Sequence, residues 1–272
     1  MELRQAHAPP IMPLTTSHPA ASVPLARLGL VLSALVVGSM TPDFPYFIPL
    51  SPSRNFSHSI MGVFIYCIPV GLVALGTFHF VLKKPALALL PSGHQQRMVS
   101  VAGDFSFLPW RRFLLIIFSL FCGALTHILW DSFTHSKGWM VQQFVILKAP
   151  LISIGSQPIP IHQFLQHAST LVGGILLVYW YIQWYKSAQT HTIPENWAIS
   201  PSKKVVLSVT MGMVAFTTAV ISGFISIPAV RTSLYLRYLI GHIFIVSLSM
   251  FIFELMLFSI YWHLRQKRAG SM

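Results

Sequence analysis

Apolar residues are bunched along the chain into long runs parted by short polar stretches. Five runs, about Ser59–Leu82, Arg112–Phe133, Gln163–Tyr185, Val205–Val230 and Leu236–Leu264, each reach the roughly 20 residues that a helix needs to cross a hydrocarbon core. A sixth, Leu28–Met40, is shorter and closes at Pro42. It spans only if helix begins near Val23, and otherwise reads as a re-entrant or interfacial segment, or by length as a signal-peptide core. Cleavage is disfavoured, because the region before Val23 is long and holds four prolines. The pattern predicts an all-α fold, a polytopic membrane helix bundle with 5–6 transmembrane helices. Residues 1–22 read as an N-terminal extension, 23–264 as a single transmembrane domain and 265–272 as a basic tail. The stretch Pro85–Trp110 mixes Gly, Pro, Ser and Gln and reads as a loop, and 186–203 as a shorter one.

Composition agrees with a membrane protein. Hydrophobic residues make up 54% and charged residues 9%, against the roughly 25% charged usual in soluble chains. So few charges cannot cover a soluble surface of this size, and the long apolar runs exclude intrinsic disorder. With 18 basic and 6 acidic residues the net charge is +12, which in a soluble chain would suggest nucleic acid. Here the basic residues lie between apolar runs, beside aromatics such as Trp110, Trp184 and Tyr185, as at a membrane interface. The expected partner is the lipid bilayer, and no nucleic acid is expected. Cys67 and Cys122 each lie inside an apolar run and read as small buried side chains, which disfavours a disulfide or a thiolate zinc site.

The loop charges orient the bundle. If six segments span, one side carries Arg4, Arg27, Lys83, Lys84, Arg97, Arg111, Arg112, Lys186, Lys203, Lys204, Arg265, Lys267 and Arg268, which is 13. The other carries Arg54, Lys137, Lys148, Arg231 and Arg237, which is 5. The positive-inside rule then places both termini in the cytoplasm. If Leu28–Met40 does not span, Arg4 and Arg27 change sides and the count is 11 against 7. The C-terminus stays cytoplasmic in both cases, and the loops around 41–58 and 134–162 face outward.

Acidic residues near hydrocarbon are expensive, on the order of 2–3 kcal/mol each on the lenient insertion scale, so their positions carry information. In Thr126-His127-Ile128-Leu129-Trp130-Asp131-Ser132-Phe133-Thr134-His135, residues His127, Asp131 and His135 recur at helical spacing and share a face. Asp43 lies between two prolines in Thr41-Pro42-Asp43-Phe44-Pro45, and His58 follows in Phe56-Ser57-His58-Ser59, where Ser57 is a candidate N-cap. Asp43, His58, His127, Asp131 and His135 are all expected near one membrane face. Imidazole and carboxylate suit zinc, manganese or iron, and the absence of cysteine suits a water-bearing site. The rival reading is a His–Asp hydrogen bond that ties helices together. His18 reaches the cluster only if Leu28–Met40 does not span or the N-terminal region folds back. His167 opens the helix after the outward loop, as a substrate contact or an interface anchor. His242 and Glu254 read as structural hydrogen-bonding groups, while His79, His94, His191 and His263 receive no role. Gly212, Gly223 and Pro228 could interrupt a cavity-lining helix, although ordinary tolerance of Gly and Pro in membrane helices accounts for them.

The order His18, Pro42-Asp43, Ser57-His58-Ser59 and Thr126-His127-Ile128-Leu129-Trp130-Asp131 resembles the bacterial inner-membrane metal-dependent hydrolases, a family distantly tied to zinc-dependent phospholipase C. That resemblance covers roughly residues 18–135. Over most of the chain, from Met12-Pro13-Leu14-Thr15-Thr16-Ser17-His18-Pro19 through Gly38-Ser39-Met40-Thr41-Pro42-Asp43-Phe44-Pro45-Tyr46-Phe47, the sequence is similar to an uncharacterised family of bacterial membrane proteins, a domain of unknown function. A match from Met12 reads Met1–Ile11 as an extension or a misassigned start. Departures exist: Pro45 or Tyr46 stands where the hydrolases carry a second acidic residue, and Arg54-Asn55-Phe56 where they carry His-Arg. The resemblance implies His18, Asp43, His58, His127 and Asp131 as ligands of a divalent metal, zinc first and manganese or iron as alternatives. Asp131 or His135 would be the base, and Arg54 and His167 would contact substrate. The expected function is hydrolysis of phosphoester or lipid-headgroup bonds, with an anionic lipid or phosphoester as substrate, in the bacterial inner membrane. A transporter or metal-handling protein and a non-catalytic structural protein are the alternatives.

Overall fold

The computed structural model describes residues 17–48, 51–154, 157–227 and 233–269. Helix dominates, and among the described residues the one sheet is an antiparallel hairpin of β1 (Pro150–Ile154) and β2 (Gln157–Pro160). The helices used below are α1 (Pro19–Ser22), α2 (Leu32–Met40), α3 (Arg54–Ser57), α4 (Ile60–Leu89), α5 (Trp110–Thr134), α6 (Ile161–Ser187), α7 (Pro201–Ser226) and α8 (Ser233–Ala269). Among the described residues, five helical stretches are long and apolar enough to cross a membrane: Ile60–Leu89, Trp110–Gln143, Ile161–Ser187, Pro201–Ser226 and Tyr238–Arg268. Apolar side chains such as Val73, Leu171, Val205 and Ile225 stand exposed along them, as expected of surfaces turned to lipid.

The short sixth segment does not qualify. Its helix α2 has 9 residues, about 14 Å at 1.5 Å per residue, less than half of a hydrocarbon core. A 3-10 turn over Val23–Leu28 and a left-handed Gly29 precede it, so no continuous helix runs from Val23.

Contacts divide the chain into two compact units, 13–76 with 106–187 and, for the rest of the described chain, 77–105 with 188–269. The first is organised by the meeting of α2 and α5. A Cβ on Gly38 would strike the Leu120 backbone, and one on Gly123 would strike the Leu35 carbonyl and Ser39 nitrogen. Only glycine at both places lets the two backbones touch, and Leu35, Ile116, Leu120 and Ala124 seal the contact. Ser119 Oγ accepts from Val31 N at 2.9 Å, which satisfies a donor at the start of α2.

The second unit shows how α4 outlasts its expected end at Leu82. Pro85 lies inside the helix and supplies no N–H, which leaves the carbonyl of Val81 without its helical donor. His263 of α8 donates Nε2–H to that oxygen at 3.0 Å, so the helix continues to Leu89. The expected loop therefore shrinks, and Ser92–Met98 within it is a further short helix of about two turns. Ala88, Ala102, Trp197 and Trp262 form the core there. Helix α7 runs unbroken through Gly212 and Gly223, as ordinary glycine tolerance anticipates, and Pro228 lies outside the described residues. His242 Nε2 pairs with Ser222 Oγ at 3.0 Å across α7 and α8. Glu254 Oε2 has no hydrogen-bond partner among the described residues, so the structural bond expected of it is not made there.

Candidate metal centre

The first unit brings together every expected site residue except His167. His127 and Asp131 lie one turn apart on α5, and His135 stands at its C-terminal cap. Asp43 sits in a 3-10 turn, Thr41–Tyr46, that prolongs α2 and is shaped by Pro42 at its start and Pro45 inside it. Arg54 opens α3 and His58 closes it. Ser57 Oγ donates to the Pro42 carbonyl at 2.7 Å and ties α3 to that turn. The N-cap of α4 is accordingly Ser59, which accepts from Gly62 N at 3.0 Å, rather than Ser57. His18 precedes α1 and stacks on His127 with ring centroids 3.8 Å apart.

Two backbone carbonyls set the tautomers. His127 Nδ1 lies 2.7 Å from Ser39 O, and His58 Nδ1 lies 3.0 Å from Arg54 O. A carbonyl only accepts, so each Nδ1 carries the proton and each neutral ring presents its Nε2 lone pair inward. His127 Nε2 stands 3.5 Å from Asp131 Oδ2 and 3.7 Å from Asp43 Oδ2. His58 Nε2 stands 3.3 Å from Asp131 Oδ2 and 3.5 Å from Asp43 Oδ1. Neither Nε2, nor Asp131 Oδ1, has a hydrogen-bond partner among the described residues. Lone pairs facing carboxylate oxygens repel unless a cation or a second ring proton lies between them.

The His–Asp spacings are longer than ordinary hydrogen bonds. N–H···O hydrogen bonds fall at about 2.7–3.2 Å. Donor atoms sharing a tetrahedral metal with bonds of about 2.0–2.1 Å sit roughly 3.3 Å apart. Asp43, His58, His127 and Asp131 each offer one ligand atom, all within 4.8 Å of one another. Two imidazoles and two carboxylates fit zinc, manganese or iron. His18 stands at the margin of this group, its Nε2 3.6 Å from Asp131 Oδ1. His135 Nδ1 lies 3.3 Å from the same oxygen.

Arg54 forms the outer wall. Its Nη2 donates to Asp131 Oδ2 at 2.9 Å, its Nε lies 3.9 Å from Asp43 Oδ1, and its guanidinium lies 5.9 Å from the centre of the Tyr46 ring. The side chain is 31% exposed, whereas His127 is fully buried and Asp43, Asp131 and His18 nearly so. Burial opposes the charge on Asp43, but the adjoining His58 and His127 rings hold its carboxyl below the ordinary range. For His58, burial is outweighed by the Asp131 and Asp43 carboxylates, which raise its affinity for a proton. The Tyr46 phenol is pushed up to about 12 by burial, with Asp43 and Asp131 adding to it against Arg54.

A family model described as a domain of unknown function, DUF4184, matches residues 12–260. The chain belongs to the DUF4184 family. No curated protein and no solved structure matches it. The DUF4184 model takes in every member of the cluster, from His18 to His135.

Three contributors to this DUF4184 site escape a reading by residue type. The Ser39 and Arg54 carbonyls are backbone atoms and leave no signature. Gln166 on α6 reaches His135 Nε2 at 3.3 Å, whereas its neighbour His167 is exposed. Helical phase was the available signal: Gln166 shares a face with Gly173, where α6 approaches Ser17 so closely that a Cβ would meet its backbone and side chain at 3.1 Å.

Burial, with His127 beside it, pulls the His18 pKa down to about 3. An unfolded histidine titrates near 6.5. Between those values the unfolded chain binds a proton that the folded chain refuses, so acid favours unfolding. His58 works in the opposite sense above pH 6.5 and adds little below it. The stability of the metal-free protein should therefore fall from pH 6 to 4.5 by up to about 1.4 kcal/mol per pH unit from His18 alone. His18→Gln removes that slope, read as the pH dependence of the thermal midpoint in detergent; an unchanged slope contradicts the assignment.

Proposed function

We propose that this protein is a membrane-embedded, metal-dependent hydrolase of phosphoester or lipid-headgroup bonds. The observation that carries the reading is the pair of histidines locked by backbone carbonyls, with both Nε2 lone pairs aimed at the same two carboxylates. Asp43, His58, His127 and Asp131 would hold the cation, zinc first and manganese or iron as alternatives. His18 would join them or support His127. The resemblance of the His18–Asp131 motif order to inner-membrane metal-dependent hydrolases supports hydrolysis. The charge excess supports the bacterial inner membrane, with the cluster outward and the C-terminus cytoplasmic. With Leu28–Met40 too short to span, the count of 11 basic residues against 7 applies.

A bound divalent cation polarises the phosphoryl oxygen and acidifies water. The chain supplies the remainder. Two carboxylates and Arg54 leave the neutral-histidine site one negative charge, so a divalent ion makes it net positive and suited to an anionic ester. Arg54, about a third exposed, is placed to receive a phosphate oxygen in its guanidinium fork. Asp131 Oδ1, with His135 next to it, takes the proton as the water oxygen bonds to phosphorus, and the proton goes to the ester oxygen as that bond breaks.

The test is hydrolysis of phosphodiester and phospholipid substrates by purified protein, with and without chelator. Activity should vanish on chelation and return with Zn2+ or Mn2+. Arg54→Met should raise KM at least about tenfold for anionic substrates, the worth of one charge-assisted hydrogen bond. Turnover that survives chelation and loss of Asp131 would sink the proposal. The Arg54–Asp131 bond at 2.9 Å favours one rival, an ionic pin that holds α3 against α5. A pin predicts loss of thermal stability on substitution and no response to chelators.

A further inference from the structure

The second compact unit holds a cavity of about 680 Å3 between the C-terminal end of α4, the first turns of α7 and the middle of α8. Its walls are mainly apolar, among them Ala86, Leu89, Val205, Val209, Phe251 and Leu255. One of its lining groups is a cation: Lys204 is only 8% exposed. Lys204 Nζ donates to the Leu90 carbonyl at 2.9 Å and to Gln95 Oε1 at 2.6 Å. Gln95 is itself buried, and its Nε2 donates to the Leu87 and Ala88 carbonyls, both at 3.0 Å, which fixes Oε1 toward the lysine. Both acceptors of Lys204 are neutral, and no carboxylate pairs with it among the described residues. Among the described residues two neutral acceptors and no opposite charge serve this ammonium, and burying a charge without a charged partner is costly.

We propose that this cavity binds an anionic glycerophospholipid of the surrounding bilayer, with a headgroup phosphate oxygen on Lys204 Nζ and an acyl chain along the apolar wall. Charge complementarity selects the anion. The lining selects a lipid over free phosphate, because apolar side chains surround the single cation and Val205 and Val209 on the rim are more than half exposed along a membrane-spanning helix. The volume lies within the roughly 300–1,000 Å3 of small-molecule sites. The exposed Lys203 next to it adds attraction for the same leaflet without touching the pocket. The cavity residues belong to the second unit and the His/Asp cluster to the first, and the proposal does not depend on that cluster's chemistry.

Native mass spectrometry of the full chain, released from micelles holding equal phosphatidylglycerol and phosphatidylcholine, tests it. The wild-type protein should retain phosphatidylglycerol with about fivefold preference, the worth of one lysine near a membrane surface. Excess inorganic phosphate should not displace it. Lys204→Met should lose the preference, and Lys203→Met should keep it. Because Lys204→Met also removes two hydrogen bonds, Val209→Trp serves as a second variant that fills the cavity from a half-exposed position and leaves the lysine intact. Loss of the retained lipid in Val209→Trp supports the site. Equal retention of both lipids by the wild-type protein, displacement by phosphate, or a preference that survives Val209→Trp overturns it.

Discussion

Asp131→Ala and His127→Ala should each strip the purified protein of a stoichiometric divalent metal. Asp131 is the hub of the cluster: Oδ2 takes the Arg54 hydrogen bond and faces His58 and His127, while Oδ1 faces His18 and His135. Under the proposed function, its loss removes one proposed ligand and one of the two carboxylate charges that would balance a cation. Support of a ligand is commonly worth 10–100-fold in metal affinity, and loss of the ligand itself should exceed that. Breaking a buried ion pair by deleting one partner also costs about 3–5 kcal/mol, so the thermal midpoint of Asp131→Ala should fall even in chelator. His127→Ala separates the effects, because a neutral ring is removed and the carboxylates stay. Metal analysis by inductively coupled plasma mass spectrometry, with thermal midpoints in chelator and in Zn2+, gives the readout. A metal-free wild-type protein from a preparation never exposed to chelator would leave the ionic pin as the account of the cluster.

Gly123→Leu should abolish metal binding from a position that touches no metal ligand. The Cβ alone would meet the Leu35 carbonyl and Ser39 nitrogen, which are backbone atoms and cannot turn aside. Separation of α2 from α5 is then the only relief. Overpacking against side chains costs about 1–3 kcal/mol, and an obstacle made of backbone should cost more. The same separation breaks the 2.7 Å bond from His127 to Ser39 O and draws the turn bearing Asp43 away from α5. Gly212→Leu is the control, since nothing lies within 4 Å of a Cβ there. Comparable stability and metal content in the two variants would contradict a site assembled by the α2–α5 contact.

The spans were legible in the sequence because lipid imposes a length rule on apolar runs, and five helices among the described residues follow it. The limits of that rule show at Pro85: a proline ended the expected span, yet a histidine 178 positions later in the chain supplies the missing donor. The carboxylate positions were legible for a related reason, since a charge near hydrocarbon needs a partner. Spacing put His127, Asp131 and His135 on one face, because one helix fixes their relation. What no run of residues contains is the convergence of His18, Asp43, Arg54 and His58 on that face. It follows from a helix too short to span and from two glycines that let α2 and α5 touch. The choice of Gln166 over His167 follows from helical phase against a neighbour, and the tautomers of His58 and His127 from carbonyl oxygens that every residue carries. Side-chain chemistry along the chain names the candidate ligands; which lone pairs meet is a matter of backbone proximity, and that is a property of packing.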